Sequence, residues 1–122
     1  MELPAGDHIG MHRDEIDTPV LLVDLDALDH NIEKMAAHFR EAGKHLRPHS
    51  KSHKTPAIAH RQLDAGALGI TCAKLGEAEV MADAGISDIL IANEVVGPRK
   101  IERLMHLATR CDIMVAVDHP AN

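Results

Sequence analysis

Tryptophan and tyrosine are absent from this chain of 122 residues, and Phe39 is its one aromatic side chain. Platforms on which bases stack are therefore missing, which argues against single-stranded nucleic acid as a partner. Basic excess is missing too. Thirteen Lys and Arg face 19 Asp and Glu, a formal net charge of −6, where a nucleic-acid face needs clustered positive charge. Two cysteines, Cys72 and Cys111, are too few for a disulfide framework and point to a reducing, cytoplasmic setting. No apolar run reaches the roughly 18 residues of a membrane span, and residues 1–13 lack the apolar stretch of a secretory signal. No internal repeat, low-complexity segment or linker is visible.

What is there is globular. Hydrophobic residues make up 45% and charged residues 26%, on a length suited to one domain. Residues 1–16, punctuated by Pro4, Gly6 and Gly10, read as an irregular lead-in. From residue 17 onward, apolar runs alternate with helical spacing. Val20-Leu21-Leu22-Val23 reads as a strand buried on both faces. Asp26 is the expected N-cap of a first helix, in which Leu28, Ile32, Met35 and Phe39 share a face and Gly43 is the stop. A second strand is expected from residue 45 to about 52, then a helix capped by Thr55 with Pro56 at its first position and Gly66 at its end. Residues 67–72 read as a strand and 75–84 as a helix stopped by Gly85; residues 88–93 read as a strand, 98–109 as a helix opened by Gly97-Pro98, and 112–117 as the last strand.

This β-α-β-α-β-α-β-α-β order implies an α/β fold with parallel strands and right-handed crossovers. Two architectures fit: a small five-stranded open sheet complete in itself, or the first part of a (β/α)8 barrel, which needs about 250 residues in all.

The unusual stretch is Arg47-Pro48-His49-Ser50-Lys51-Ser52-His53-Lys54. On a helix, His45, His49 and His53 would stack at zinc-ligand spacing, but Pro48 breaks such a helix. On a strand, Arg47, His49, Lys51 and His53 share one face. A solvated basic edge is the plain explanation. In a covered parallel sheet the same row would lower the pKa of Lys51, through neighbouring positive charge and desolvation, and prepare it as a nucleophile. It would also suit a phosphate. Pyridoxal 5'-phosphate meets both demands, offering an aldehyde to the lysine and a phosphate to the cations.

Asp17-Thr18-Pro19, Val23-Asp24-Leu25-Asp26-Ala27-Leu28, Asn31-Ile32 and Met35 resemble the opening segment of fold-type III pyridoxal-phosphate enzymes. The stretch 47–54 resembles the lysine motif of their D-threonine aldolase and D-serine dehydratase branch. Cys72-Ala73-Lys74-Leu75-Gly76-Glu77-Ala78-Glu79 and Ile91-Ala92-Asn93-Glu94-Val95-Val96-Gly97-Pro98 continue the resemblance, the last block looking closest to D-threonine aldolase and 3-hydroxy-D-aspartate aldolase.

The resemblance implies an alanine-racemase-like barrel, its N-terminal half over residues 17–122, with the remaining barrel and a C-terminal β-domain outside this sequence. It implies Lys51 as the lysine that carries pyridoxal phosphate. His49 and His53 would flank the cofactor or serve the barrel interior. Thr71, Cys72 and Asn93, near strand ends, would contact it, with Glu94 at the same mouth. Lys54, the rival lysine, falls on the other strand face just before the helix cap and is expected in solvent. Cys72 has no visible acid–base partner and reads as a small buried thiol. Ala73 departs from aldolases that carry Gln there, so the substrate subclass stays open.

The implied activity is a lyase acting on D-3-hydroxy amino acids, of which D-threonine aldolase is the first choice. D-serine dehydratase-like ammonia-lyase, racemase and non-catalytic pyridoxal-phosphate carrier are the alternatives. A divalent metal is implied for the whole enzyme, with no ligands to it in this chain, and a homodimer is suggested. No nucleic acid or membrane partner is expected. The chain read as a fragment is expected to lack turnover alone, and a half-barrel exposes strand edges.

Overall fold

The computed structural model describes residues 8–120. After a short 3-10 turn at Arg13–Glu15 come α1 (Leu25–Glu41), α2 (Pro56–Asp64), β1 (Ile70–Cys72), α3 (Leu75–Asp83), β2 (Asp88–Glu94), α4 (Pro98–Leu107) and β3 (Asp112–Ala116). The three strands form one parallel sheet in the order β1-β2-β3. Each is joined to the next by a helix, as a parallel sheet requires.

The register explains the core. Ile70 stands beside Ile89 and Ile113, and Cys72 beside Ile91 and Val115, so these side chains share the sheet face that the helices cover. Ala59 of α2, Leu75, Ala78 and Met81 of α3, and Leu107 of α4 close over them. The opposite face carries Thr71, Leu90 and Met114 in one row. In a closed barrel that face is the interior.

Two expected strands differ from the sequence reading. Residues 20–23 form no strand and are unpaired among the described residues, and Leu21 is 97% exposed. The apolar run has the composition of a buried strand, but strand pairing needs a neighbour, and none lies beside it here. Residues 45–52 form a single parallel bridge, His49 to Thr71, in place of a full strand. Leu68 N donates to Leu46 O at 2.8 Å, Thr71 N to Pro48 O at 2.8 Å, and Ser50 N to Thr71 O at 2.8 Å. Pro48 has no N–H to add, and the chain turns at Ser50, so the ladder stops.

The helices fall close to expectation. The cap of α1 is Asp24, not Asp26: its carboxylate accepts from Ala27 N at 3.0 Å, and Asp26 lies inside the first turn. Asp24→Ala is expected to lower amide protection at Ala27 about fivefold, the equivalent of about 1 kcal/mol, and Asp26→Ala clearly less. Hydrogen exchange read residue by residue checks this; equal effects would show the cap misassigned. Gly43, with φ +60, gives the left-handed turn that ends α1.

No residue of α1 is fully buried. Its apolar stripe, including Ile32, Met35 and Phe39, opens onto a groove of about 710 Å³ shared with residues 43–46, Pro48, His49 and the end of α2. Among the described residues no helix is long and apolar enough to cross a membrane.

Candidate functional site at the strand ends

The lysine stretch leaves the sheet at Ser50 and enters a closed turn. Lys54 N donates to Ser50 O at 2.7 Å, and Lys54 itself takes φ +50. Lys51 and Ser52 lie exposed on the turn. The expected single face of four basic groups is therefore broken. Arg47 and His49 belong to the paired segment, whereas Lys51 and His53 sit in the turn, where strand alternation does not apply.

Arg47 is removed from the row by its own partner. Its guanidinium donates to Asp88 at the start of β2, Nη1 to Oδ1 at 2.5 Å and Nη2 to Oδ2 at 3.2 Å. The pair crosses Gly69, which gives it room because a Cβ there would overlap Arg47 Nη1 and stand 2.5 Å from Asp88 O. This clamp lies at the N-terminal end of the strands, the end associated with stability in barrels, while Lys51 lies at the C-terminal end, where sites form. The Lys51 side chain is exposed, and Arg47 is paired elsewhere.

Both histidines bind backbone. His49 Nδ1 accepts from Lys51 N at 3.2 Å, and His53 Nδ1 accepts from Thr55 N at 3.0 Å. An amide can only donate, so each ring uses Nδ1 as acceptor, which puts the proton of the neutral ring on Nε2. Thr55 does not cap α2 with its side chain as expected; its hydroxyl donates to His53 O at 2.7 Å instead. Nε2 of His53 and Oε1 of Gln62 are buried without a hydrogen-bond partner.

Burial, the dominant cause, pushes the His53 pKa below its ordinary value. A folded-state pKa below the unfolded value near 6.5 means stability is present above that pH and lost as pH falls through it. The denaturation midpoint is expected to fall more between pH 7.5 and 5.5 in the native chain than in His53→Gln. Equal falls would remove His53 from the pH response.

Thr71 and Cys72 end β1 as expected, but both side chains are engaged. Thr71 Oγ1 donates to Arg47 O at 3.1 Å. Cys72 is fully buried in the helix-facing core, where burial pushes its thiol pKa up, against the Ser50 hydroxyl and with a smaller upward push from Glu77. A thiol held protonated is no nucleophile. Any contact from Cys72 to a molecule at the strand ends runs through its backbone.

Asn93 is exposed at the end of β2. Its Nδ2 donates to Ala73 O at 3.5 Å, and its Oδ1 accepts from Glu94 N at 3.0 Å, so it links the ends of two strands. Lys54 has a mostly exposed side chain, as expected, with Nζ 3.7 Å from Glu77 Oε1. Among the described residues no group of three or more His, Cys, Asp or Glu is placed to hold a metal ion.

Three structural residues escaped the sequence reading. Ser50 is 1% exposed. Glu77 accepts from Ala73 N at 2.8 Å, closing the first turn of α3; a Glu at the third helical position was the available signal. Gly69 was also readable, because glycine next to a strand marks close approach.

The fold has known relatives. Residues 23–122 match the family described as alanine racemase, N-terminal domain. The chain is 48% identical over 107 residues to the D-threonine aldolase of an Arthrobacter species, covering 88% of this chain and 28% of that protein. It is 43% identical over 115 residues to the 3-hydroxy-D-aspartate aldolase of Paracoccus denitrificans, covering 93% and 30%. The crystal structure of D-threonine aldolase from Filomicrobium marinum superimposes with a TM-score of 0.83 at 54% identity, over 84% of this chain and 28% of that one. The chain thus spans under a third of the length of these relatives. It belongs to the alanine racemase N-terminal domain family, as the N-terminal part of that barrel.

Proposed function

We propose that this chain supplies the cofactor-binding lysine of a pyridoxal-phosphate-dependent lyase acting on D-3-hydroxy amino acids, of the D-threonine aldolase type, which cleaves D-threonine to glycine and acetaldehyde. The observation that carries the reading is Lys51, an exposed primary amine on a closed turn at the C-terminal end of a parallel sheet. It enters none of the ion pairs formed among the described residues. The aldolases to which the chain is similar favour this substrate class.

The residues present fit one half of the cofactor. Lys51 offers an amine to the aldehyde, His49 fixes the Lys51 backbone, and Asn93 is a further polar group at the same ends of the strands. Of the cations near the turn, Arg47 is held by Asp88 and Lys54 by Glu77, so neither is free for the phosphate half. Later loops of the barrel would hold that half, and a divalent metal on the substrate hydroxyl would come from outside this chain. Pyridoxal phosphate, when bound, supplies an electron sink for breaking a bond to the amino-bearing carbon. The chain's own contribution is to hold that group at a fixed place and angle.

The test is borohydride reduction of the purified chain with pyridoxal phosphate, followed by peptide mass mapping. The absence of Trp and Tyr leaves the near-ultraviolet background clear for the accompanying spectrum. The expected result is one adduct, on Lys51. No adduct, or labelling spread over Lys44, Lys54 and Lys74, overturns the reading. Product analysis on a chain with the complete barrel then separates glycine plus acetaldehyde from a 2-oxo acid plus ammonia, and from a carrier that forms no product.

A further inference from the structure

We propose that Ser50 is the positioning residue for Lys51; this rests on the reading of Lys51 as the cofactor-binding amine. Only Ser50 and Thr71 are buried polar or charged residues among those described. Nothing in the packing requires a hydroxyl at position 50, because Cys72, its sulfur neighbour, belongs to an apolar cluster. A polar group left in such a place is held by a specific partner or it destabilises the fold.

Ser50 is held three ways. Its N–H donates to Thr71 O at 2.8 Å, and its hydroxyl donates to the same carbonyl at 3.1 Å. Its own carbonyl accepts from Lys54 N at 2.7 Å. The hydroxyl also lies 3.5 Å from Cys72 Sγ. Ser50 is thus both the last residue fastened to β1 and the first residue of the turn. Ser50 is gripped from the sheet side by Thr71, through its N–H and hydroxyl, and from the turn side by Lys54, through its carbonyl.

Lys51 follows at once, with its N–H on His49 Nδ1. Its side chain is long and flexible, so backbone direction is what the fold controls. A backbone free to tilt at position 50 would sweep the distant amine through a wide arc, and misplacement of about 1 Å at a reacting atom can cost roughly a hundredfold. The hydroxyl makes that tilt costly at the one residue where sheet pairing ends.

The test uses the same chain and pyridoxal phosphate as the probe. The Lys51 amine adds to the aldehyde carbon, water leaves, and borohydride delivers hydride to the resulting C=N bond, fixing the label. In Ser50→Ala the share of label on Lys51, relative to Lys44, Lys54 and Lys74, is expected to fall about tenfold while the far-ultraviolet dichroism and melting curve remain those of a folded chain. Ser50→Thr, which keeps the hydroxyl, should restore much of the selectivity, and Cys72→Ala, which keeps the Thr71 carbonyl as acceptor, should retain it.

Folded Ser50→Ala that labels Lys51 as the native chain does overturns the inference and leaves the cofactor lysine standing. Absence of label on native Lys51 removes both. Should Ser50→Ala fail to fold, amide exchange in the native chain decides. Protection of Lys54 N–H comparable to Thr71 N–H supports a fixed turn, and exchange at the rate of an open chain overturns it.

Discussion

Lys51→Ala is expected to abolish the borohydride-trapped adduct at position 51. In a protein with the complete barrel it should lower turnover by roughly 10³-fold or more, the scale seen when a covalent or proton-transferring group is deleted. Lys51→Arg is the sharper variant. It keeps the positive charge and most of the length, but guanidinium is protonated at all accessible pH values and does not condense with an aldehyde. If Lys51 served only as a surface cation, the arginine variant would behave as the native chain. If Lys51 is the amine, both variants fail alike.

Lys54→Ala is the matched control. Its side chain is 62% exposed and pairs with Glu77 at 3.7 Å, so its loss should shift stability by no more than about 0.5 kcal/mol and leave the Lys51 adduct in place. Full labelling of Lys51→Ala at Lys54 would reverse the assignment of the two lysines.

The contrast between these lysines shows what the sequence made legible. The resemblance singled out Lys51, and alternation put Lys54 in solvent. Alternation was, however, the wrong reason for the geometry. Period two holds only while the chain stays paired, and pairing ends at Ser50, where a hydrogen bond from Lys54 closes the turn. Nothing in residue types announces that particular bond. The helix and strand order from residue 55 onward was legible because each unit carries its own apolar period and its own stop.

Residues 20–23 show the opposite limit. Their apolar run marks a buried strand, yet burial depends on a neighbour, and none pairs with it among the described residues, so the run lies open. His49 and His53 show a third. Their spacing suggested a row facing a ligand, while both Nδ1 atoms are spent on nearby amides, a local competition that spacing cannot show.

Gly69→Ala is expected to be the most damaging single change in the described fold for its size, costing about 2–4 kcal/mol and lowering the melting midpoint by roughly 10 °C. The added methyl would overlap Arg47 Nη1 and lie 2.5 Å from Asp88 O and 2.8 Å from Asp88 Cγ. The arginine can swing away, at the cost of its ion pair. The carbonyl belongs to the first residue of β2, paired in register with Asp112, and cannot move without disturbing the ladder.

This separates two contributions. Arg47 and Asp88 side chains are 17% and 31% exposed, between a surface pair worth under about 1 kcal/mol and a buried pair whose rupture costs about 3–5 kcal/mol, so Arg47→Met alone should cost about 1–2 kcal/mol. If the charge pair were the whole reason for glycine, Arg47→Met would make Gly69→Ala harmless. With the carbonyl as the fixed obstacle, the double variant should still lose most of what Gly69→Ala loses. Chemical denaturation of the three variants measures this directly, and a Gly69→Ala midpoint equal to the native one would show that β1 and β2 do not approach as described. The consequence for the site is one of division: the end of the sheet that carries Lys51 keeps an exposed amine on a turn, while the opposite end holds the strands together through a glycine and a charge pair.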